Sequence, residues 1–139
     1  MKISGWILIF AAWLIAALST LGALFMGEVM GLTPCVLCWY QRIAMFPLVV
    51  VLAVGLFPLD AKVVRYALPL SSTGLLLATY HLFLTIGVIP EAMAPCAQGV
   101  PCGKIQAQWF GFVTIPLLSF VAFLSINLLL ALSALRKSQ

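Results

Sequence analysis

Two cysteines separated by two residues, Cys35 and Cys38, are the first feature of the sequence that suggests chemistry. Thr33 is a good N-cap and Pro34 suits the first position of a helix, so the pattern predicts a helix with Cys35 as its second residue. A thiol near the positive end of a helix is stabilised as the thiolate, which is the form that attacks disulfides. Arg42 follows Cys38 by four residues and shares its helix face, where a guanidinium can steady a thiolate or an anionic ligand. The stretch therefore predicts a redox-active dithiol beside a cation.

A second pair, Cys96 and Cys102, lies in a stretch rich in Pro, Gly and Gln. Two close pairs of cysteines are open to redox, metal-binding and structural interpretations. The spacing between Cys96 and Cys102 exceeds the roughly two to four intervening residues that are common between zinc ligands, which disfavours a zinc site made of all four cysteines. The sequence thus predicts no metal site. In the structural alternative, Cys35 and Cys38 are two thiols at the start of a helix that take part in no reaction. Arg42 then only extends its side chain towards the polar surface of the membrane.

The composition indicates that the elements positioning these side chains lie in a membrane. Of the 139 residues, 65% are hydrophobic and 7% are charged, and the mean hydropathy is +1.23. Soluble domains of this length do not have such a composition. The formal net charge of +4 does not indicate nucleic-acid binding, because the basic residues do not cluster along one stripe.

Four apolar runs are long enough to cross a hydrocarbon core of about 30 Å. They predict an all-α integral membrane protein, a bundle of four transmembrane helices that forms one domain over residues 1–139. The predicted spans are residues 3–26, 37–57, 66–89 and 109–135, with extracytoplasmic loops at 27–36 and 90–108. A cleaved signal peptide describes the first run less well, because the run is longer than the apolar region of about 7–15 residues in a signal peptide.

His81 lies inside the third predicted span, eight residues before its end at Ile89. At the rise of an α-helix this places it about 12 Å below the outer end of the span, near the level that Arg42 reaches in the second span. Buried histidines often do no more than hydrogen-bond to a neighbouring helix. Ionisable groups inside a bilayer are nevertheless functional candidates, so both interpretations stand at this point.

The basic residues indicate how the spans are oriented. One side of the predicted bundle carries five of them, Lys2, Lys62, Arg65, Arg136 and Lys137, whereas the other side carries Lys104, apart from Arg42 inside a span. Cytoplasmic segments of membrane proteins are enriched in Lys and Arg. Both termini are therefore predicted to be cytoplasmic. Both cysteine pairs then face the extracytoplasmic space, where disulfides form and persist.

Motifs around both cysteine pairs occur together in one known family. They are Cys35-Val36-Leu37-Cys38 followed by Tyr40 and Arg42, Pro95-Cys96 through Val100-Pro101-Cys102, and Trp109-Phe110-Gly111-Phe112 followed by Thr114-Ile115-Pro116. With the four predicted spans, these motifs resemble the DsbB family of quinone-linked membrane oxidases of disulfide bond formation, and most closely its BdbC-like branch. The resemblance covers essentially the whole chain. The combination is specific, although each motif alone is not.

The resemblance implies a relay of electrons. Cys96 and Cys102 are expected to accept electrons from an extracytoplasmic thioredoxin-like thiol oxidase, a DsbA-like protein, and to pass them to Cys35 and Cys38. Cys38 is expected to deliver them to a membrane quinone, which is either ubiquinone or menaquinone. The expected location is the bacterial cytoplasmic (inner) membrane, with the redox cysteines on its extracytoplasmic side.

The resemblance also implies two contacts to the quinone. Arg42 occupies the position of the family's quinone-contacting arginine, and His81 resembles a quinone-contacting position in the third helix. The loop cysteines are closer together here than in the best-known members of the family. By analogy, Cys96 rather than Cys102 is assigned the contact with the partner.

Two other functions are compatible with parts of the sequence. A small membrane scaffold protein would use its cysteines as structural disulfides or as metal ligands, and these would not cycle between thiol and disulfide when quinone is added. A carrier that brings reducing power outwards from the cytoplasm would need cysteines that are reachable from both sides of the membrane. None of the cysteines is predicted near the inner side.

Overall fold

Four long helices dominate the computed structural model, which describes residues 2–94 and 108–138. They are α1 (Lys2–Leu24), α2 (Val36–Leu56), α3 (Val63–Thr85) and α4 (Ile115–Ser138). Each of the four is long and apolar enough to cross a membrane. A helix suits each span because it satisfies its own backbone hydrogen bonds where water is absent. The predicted four-span bundle is confirmed.

The helices form a closed bundle. Each one packs against the next along the chain, and α1 also packs against α4. Small side chains at the interfaces allow the helices to approach each other closely. Ala12 of α1 and Ala67 of α3 are two such residues, and both are completely buried. A close contact joins α3 to α4, where a Cβ atom added to Gly74 would collide with the ring of Phe123. Interfaces of this kind are common between membrane helices, because van der Waals packing holds them together.

The second helix begins two residues later than its local sequence predicts. Thr33 was expected to be the N-cap, but the helix starts at Val36 and the N-cap is Cys35, with φ −75° and ψ 172°. The Cys35 carbonyl accepts the first bond of the helix from the Trp39 amide, at 3.1 Å. Proline is compatible with both extended and first-turn conformations, so Pro34 does not fix the start by itself. Cys35 therefore caps the helix and Cys38 lies in its first turn.

The third helix is shifted towards the N-terminus relative to the predicted span of residues 66–89. It begins at Val63. Immediately before this start, the Asp60 carboxylate accepts a hydrogen bond of 2.9 Å from the backbone amide of Lys62. It ends at Thr85, because Gly87 has a φ of +83° and turns the chain out of the helix.

The fourth helix begins after the predicted start at residue 109. Gln108–Trp109 (β1) and Val113–Thr114 (β2) pair as a short antiparallel ribbon. Between them, Phe110 and Gly111 have φ values of +55° and +81°. This left-handed backbone cannot continue a right-handed helix, so α4 starts only at Ile115.

The two ends of the bundle differ in character. Cys35 and Cys38 lie at the start of α2, whereas Lys62 lies beyond its other end, at the start of α3. Because the number of spans is even, the start of α1 and the end of α4 lie at the same side as Lys62. Which side faces the cytoplasm stays a prediction from the basic residues.

Candidate functional site: a dithiol between a buried histidine and an apolar cavity

Cys35 and Cys38 face each other at the start of α2. Their sulfur atoms are 3.1 Å apart, and both are free thiols in the part of the chain that the structure describes. Cys35 is buried and Cys38 is half-buried. One helical turn separates an N-cap from the third residue of its helix, and this brings the two sulfurs together. When an acceptor removes two electrons and two protons, an approach of about 1 Å brings the sulfurs to the disulfide bond length of about 2.0 Å.

His81 of α3 completes the environment of Cys35. Its Nε2 atom lies 3.8 Å from the Cys35 sulfur, and its Nδ1 atom lies 3.0 Å from the side-chain amide nitrogen of Gln41 on α2. His81 and Gln41 are 3% and 5% exposed. A buried imidazole that is hydrogen-bonded at one nitrogen has a fixed ring orientation. Gln41 thus holds His81 so that its other nitrogen faces the dithiol.

The surroundings of Cys35 favour its thiolate. The hydrogen bond between Cys35 and Cys38 lowers the pKa of the Cys35 thiol to about 4, although burial opposes this shift. The contact with His81 lowers the pKa further. Hydrogen bonds to a charged form stabilise that form. Cys35 is therefore poised to be ionised at neutral pH when the pair is reduced.

Arg42 lies on the other side of Cys38, near the end of α1. Its Nη2 atom donates a hydrogen bond of 2.9 Å to the Ala23 carbonyl, and its guanidinium lies 5.4 Å from the centre of the Trp39 ring. A π-helix over Phe25–Val29 follows α1 here and carries Gly27, where an added Cβ atom would lie 3.3 Å from Arg42 Nη2. π-helical turns are frequent at functional sites. The absence of a side chain at Gly27 leaves room for the guanidinium.

An apolar cavity of about 510 Å³ opens between α1, α2 and α4. Its walls are mostly aliphatic and aromatic side chains, and its polar atoms come largely from Cys38, Gln41 and Arg42 on α2 and from serines on α1 and α4. Ligand sites commonly have volumes of about 300–1,000 Å³ and combine apolar walls with a few polar groups. Cys38 is therefore both a member of the dithiol and part of the cavity wall.

The structure brings most of the predicted site residues together, in two groups. Cys35, Cys38 and His81 form one cluster, and Cys38 and Arg42 share the cavity. His81 lies behind the dithiol and is absent from the described residues that line the cavity. Its contact with a quinone stays a prediction. Cys96 and Cys102 lie outside the described residues.

Gln41 is a site residue that the sequence did not reveal. It is hydrogen-bonded to His81, which itself contacts Cys35, and it also lines the cavity. The sequence does contain a signal, because Gln41 is an amide side chain inside an apolar span. A polar side chain at membrane depth is costly unless it has a partner, so Gln41 could have been predicted to contact another polar group.

Comparisons with known proteins agree with one another. The family model described as "Disulfide bond formation protein DsbB" matches residues 5–133. The chain is 49% identical to a "Probable disulfide formation protein" of Metapseudomonas resinovorans, over 90% of this chain and 88% of the relative. It is 37% identical to "Disulfide bond formation protein C" of Bacillus subtilis, over 96% of each chain. No solved structure matches the chain significantly.

Proposed function

The chain belongs to the DsbB family of disulfide bond formation proteins, and from this premise we propose that it reoxidises an extracytoplasmic thiol oxidase at the expense of a membrane quinone. Membership of this family, together with four helices that can span a membrane, identifies the chain as a multi-pass membrane protein that takes part in disulfide bond formation. The identity of the electron acceptor, the partner and the side of the membrane are parts of the proposal.

One observation carries the proposal: Cys38 and Arg42 line the same apolar cavity. Apolar walls suit a quinone ring and its isoprenoid tail, and the guanidinium is a hydrogen-bond donor for a carbonyl oxygen. A quinone bound there would accept the two electrons and two protons that are released when the dithiol closes to a disulfide. Ubiquinone and menaquinone both have this chemistry.

The cysteines divide the reaction into two thiol–disulfide exchanges. In the first, the dithiol of a thioredoxin-like partner reduces a disulfide between Cys96 and Cys102 and is itself oxidised. In the second, the loop dithiol reduces the disulfide between Cys35 and Cys38. Each exchange proceeds when a thiolate attacks a sulfur and displaces another thiolate, so electrons and bonds balance at every step. Cys96 is proposed to form the mixed disulfide with the partner.

His81 and Arg42 act on opposite sides of the dithiol. The imidazole Nε2 lies 3.8 Å from the Cys35 sulfur, which supports a role in accepting the proton of the Cys35 thiol and in stabilising the thiolate that results. Arg42 supplies a fixed positive charge on the cavity wall, where negative charge develops as electrons leave Cys38. In a site without water, a fixed positive charge stabilises this developing negative charge, and no solvent has to reorganise.

Partner oxidation in detergent under anaerobic conditions tests the function. With reduced thioredoxin-fold partner and quinone, the protein should oxidise the partner and form quinol in equal amounts. Cys38→Ser should abolish quinol formation, and Thr73→Ala, on a lipid-facing surface of α3, should be a neutral control. Partner oxidation that proceeds at the same rate without quinone contradicts the proposal.

The entry point is tested separately. Cys102→Ser should trap a mixed disulfide between Cys96 and the partner, because the neighbouring thiol that would resolve it is gone. If Cys96→Ser traps the partner instead, the two roles are exchanged. If neither variant traps it, the loop pair is not where electrons enter.

A further inference from the structure

The cluster of Cys35, Cys38 and His81 has the composition of a metal site as well as that of a redox centre. The two sulfur atoms and a ring nitrogen all lie within 4.8 Å of one another. We propose that the reduced dithiol and His81 form a three-ligand site for a borderline-soft divalent cation, for which Zn²⁺ is the best fit. This donor set differs from the four-cysteine site that the sequence disfavours.

The distances are close to those that zinc requires. Bonds of about 2.3 Å to sulfur and 2.0–2.1 Å to nitrogen in a tetrahedron place two sulfurs about 3.8 Å apart and a sulfur and a nitrogen about 3.6 Å apart. The corresponding distances are 3.1 Å between the sulfurs and 3.8 Å between Cys35 Sγ and His81 Nε2. The third pair, Cys38 Sγ and the His81 ring nitrogen, lies within 4.8 Å. Movements of about 1 Å, within reach of side-chain rotation at Cys38, therefore convert one arrangement into the other.

A second layer of contacts orients the nitrogen ligand. Histidines that bind metal usually hydrogen-bond through their other ring nitrogen, which fixes the ring and its tautomer. Gln41 meets His81 Nδ1 at 3.0 Å. Because the oxygen and nitrogen of an amide can exchange places, the same side chain can accept a hydrogen bond from protonated Nδ1. The lone pair of the imidazole is then on Nε2, the atom that faces the dithiol and would bind zinc.

Charge balance favours a divalent ion in this buried place. Two thiolates and a neutral imidazole compensate the charge of Zn²⁺ completely, so the loaded site is neutral. A neutral site avoids the large cost of a net charge in a medium of low polarity. Cys38 faces the cavity, so a fourth ligand such as water can approach from there. Three protein ligands with one open position are typical of reactive zinc sites, including Cys₂His sites.

Zinc binding and oxidation of the dithiol exclude each other. Binding converts two thiols and one Zn²⁺ into a dithiolate complex and releases two protons. A disulfide between Cys35 and Cys38 has no thiolate to offer and does not bind the ion. Zinc is therefore expected to hold the pair in its reduced state and to withdraw it from thiol–disulfide exchange.

Metal titration of the reduced full-length chain tests this inference. The background variant carries Cys96→Ser and Cys102→Ser, so that the loop thiols cannot contribute. In detergent it should bind one Co²⁺ per chain with thiolate-to-cobalt charge-transfer and tetrahedral absorption bands, and Zn²⁺ should displace the cobalt. The oxidised protein and a further Cys35→Ser substitution should show neither band. Absence of thiolate–cobalt bands from the reduced background variant overturns the proposal.

Substitutions at His81 and at Gln41, which hydrogen-bonds to it, distinguish a three-ligand site from binding by the dithiol alone. Gln41→Leu should weaken Zn²⁺ binding by about 10–100-fold, the usual effect of losing a contact behind a liganding histidine, and His81→Ala should weaken it more. Thr79→Ala, also on α3 and with its hydroxyl bonded to the Leu75 carbonyl, is the matched control. If His81→Ala binds Zn²⁺ as tightly as this control, the dithiol acts alone and the three-ligand site does not exist.

A second readout needs no substitution at His81. Zn²⁺ should protect Cys35 and Cys38 of the reduced background variant from alkylation, and a chelator should restore their reactivity. Alkylation at an unchanged rate in excess Zn²⁺ overturns the proposal even if His81→Ala does not fold. These experiments use neither quinone nor partner, so their outcome is independent of the proposed oxidase function.

Discussion

Arg42 carries a charge inside the second span, where a cation costs up to about 2.5–3.5 kcal/mol at the helix centre and less near its end. The Ala23 carbonyl and the face of Trp39 offset part of this cost. Both contacts leave the guanidinium on the cavity wall beside Cys38. In the proposed function, a ligand that gains negative charge in the cavity offsets the rest of this cost.

We predict that Arg42→Met leaves the protein folded and inserted but lowers quinone-dependent turnover by roughly 10²–10³-fold, the usual effect of losing one donor to a developing charge. Arg42→Lys should recover only part of the loss, because an ammonium lacks the planar fork of the guanidinium. The measurement is the rate of partner oxidation against quinone concentration in detergent. Thiol exchange between Cys96 or Cys102 and the partner should be unaffected. Unchanged quinone KM and kcat would reduce Arg42 to an interfacial anchor.

The ionisation of Cys35 gives a pH prediction. Its lowered pKa of about 4 means that the thiolate is present above that pH and is lost as the pH falls through it. The ultraviolet thiolate absorbance of the reduced chain with Cys96→Ser and Cys102→Ser should therefore persist at pH 6 and disappear near pH 4. His81→Ala should move the midpoint upwards, since the imidazole contributes to the shift. A midpoint near the ordinary thiol value of about 8.5 would contradict this account of the site.

At the scale of the elements, the contact between α3 and α4 depends on one missing side chain. A Cβ atom on Gly74 would collide with the buried ring of Phe123. Such a collision forces either the ring or the helices to move, and overpacking of this kind usually costs about 1–3 kcal/mol.

Gly74→Ala should therefore lower the free energy of unfolding by about 1–3 kcal/mol, measured by thermal or denaturant unfolding in detergent. Gly5→Ala on α1 is the matched control, because a Cβ atom there would have no neighbour within 4 Å. Adding Phe123→Leu to Gly74→Ala should restore part of the loss by removing the ring. Equal stability of the Gly74→Ala and Gly5→Ala proteins would show that this interface is looser than described.

Hydropathy was sufficient to predict the four helices, because length and apolarity alone decide whether a segment can cross a bilayer. It could not predict where α4 begins, since the left-handed backbone at Phe110 and Gly111 interrupts a sequence that stays apolar. The N-cap at Cys35 was missed for a similar reason, because Thr33 and Pro34 are equally acceptable before a helix.

The site was predictable only where its residues share one helix. The spacing of Cys35, Cys38 and Arg42 along α2 placed them correctly near each other. The approach of His81 to Cys35 and Gln41 depends on the packing of α3 against α2, and the cavity depends on three helices at once. Depth in the membrane predicted that His81 lies near the level of Arg42, and the ring contacts the neighbouring residue Gln41. Depth alone carries no information about which side of α2 the ring lies on.

At the scale of the whole molecule, the dithiol and the basic connection between α2 and α3 lie at opposite ends of the bundle. We predict that Cys38, Cys96 and Cys102, rather than the buried Cys35, react with a membrane-impermeant thiol reagent applied to intact cells after mild reduction. A cysteine introduced by Lys62→Cys should not react, because position 62 lies on the side of the bundle that carries the excess of basic residues, and that side is expected to be cytoplasmic. Disrupted cells, in which position 62 becomes reactive, provide the control. Labelling of position 62 in intact cells would reverse the orientation and contradict the proposed function.

The central claim is that electrons leave the protein from Cys38 to a quinone in the cavity. The most direct test is the visible absorption of the chain with Cys35→Ser, in which no disulfide can form within the first pair and the Cys38 sulfur stays available. Added quinone should produce a visible band that reports contact between the Cys38 thiolate and the quinone ring, and the band should be absent from the chain with Cys38→Ser. A chain with Cys35→Ser that binds quinone without a visible band, or an equal band after Cys38→Ser, would contradict the account.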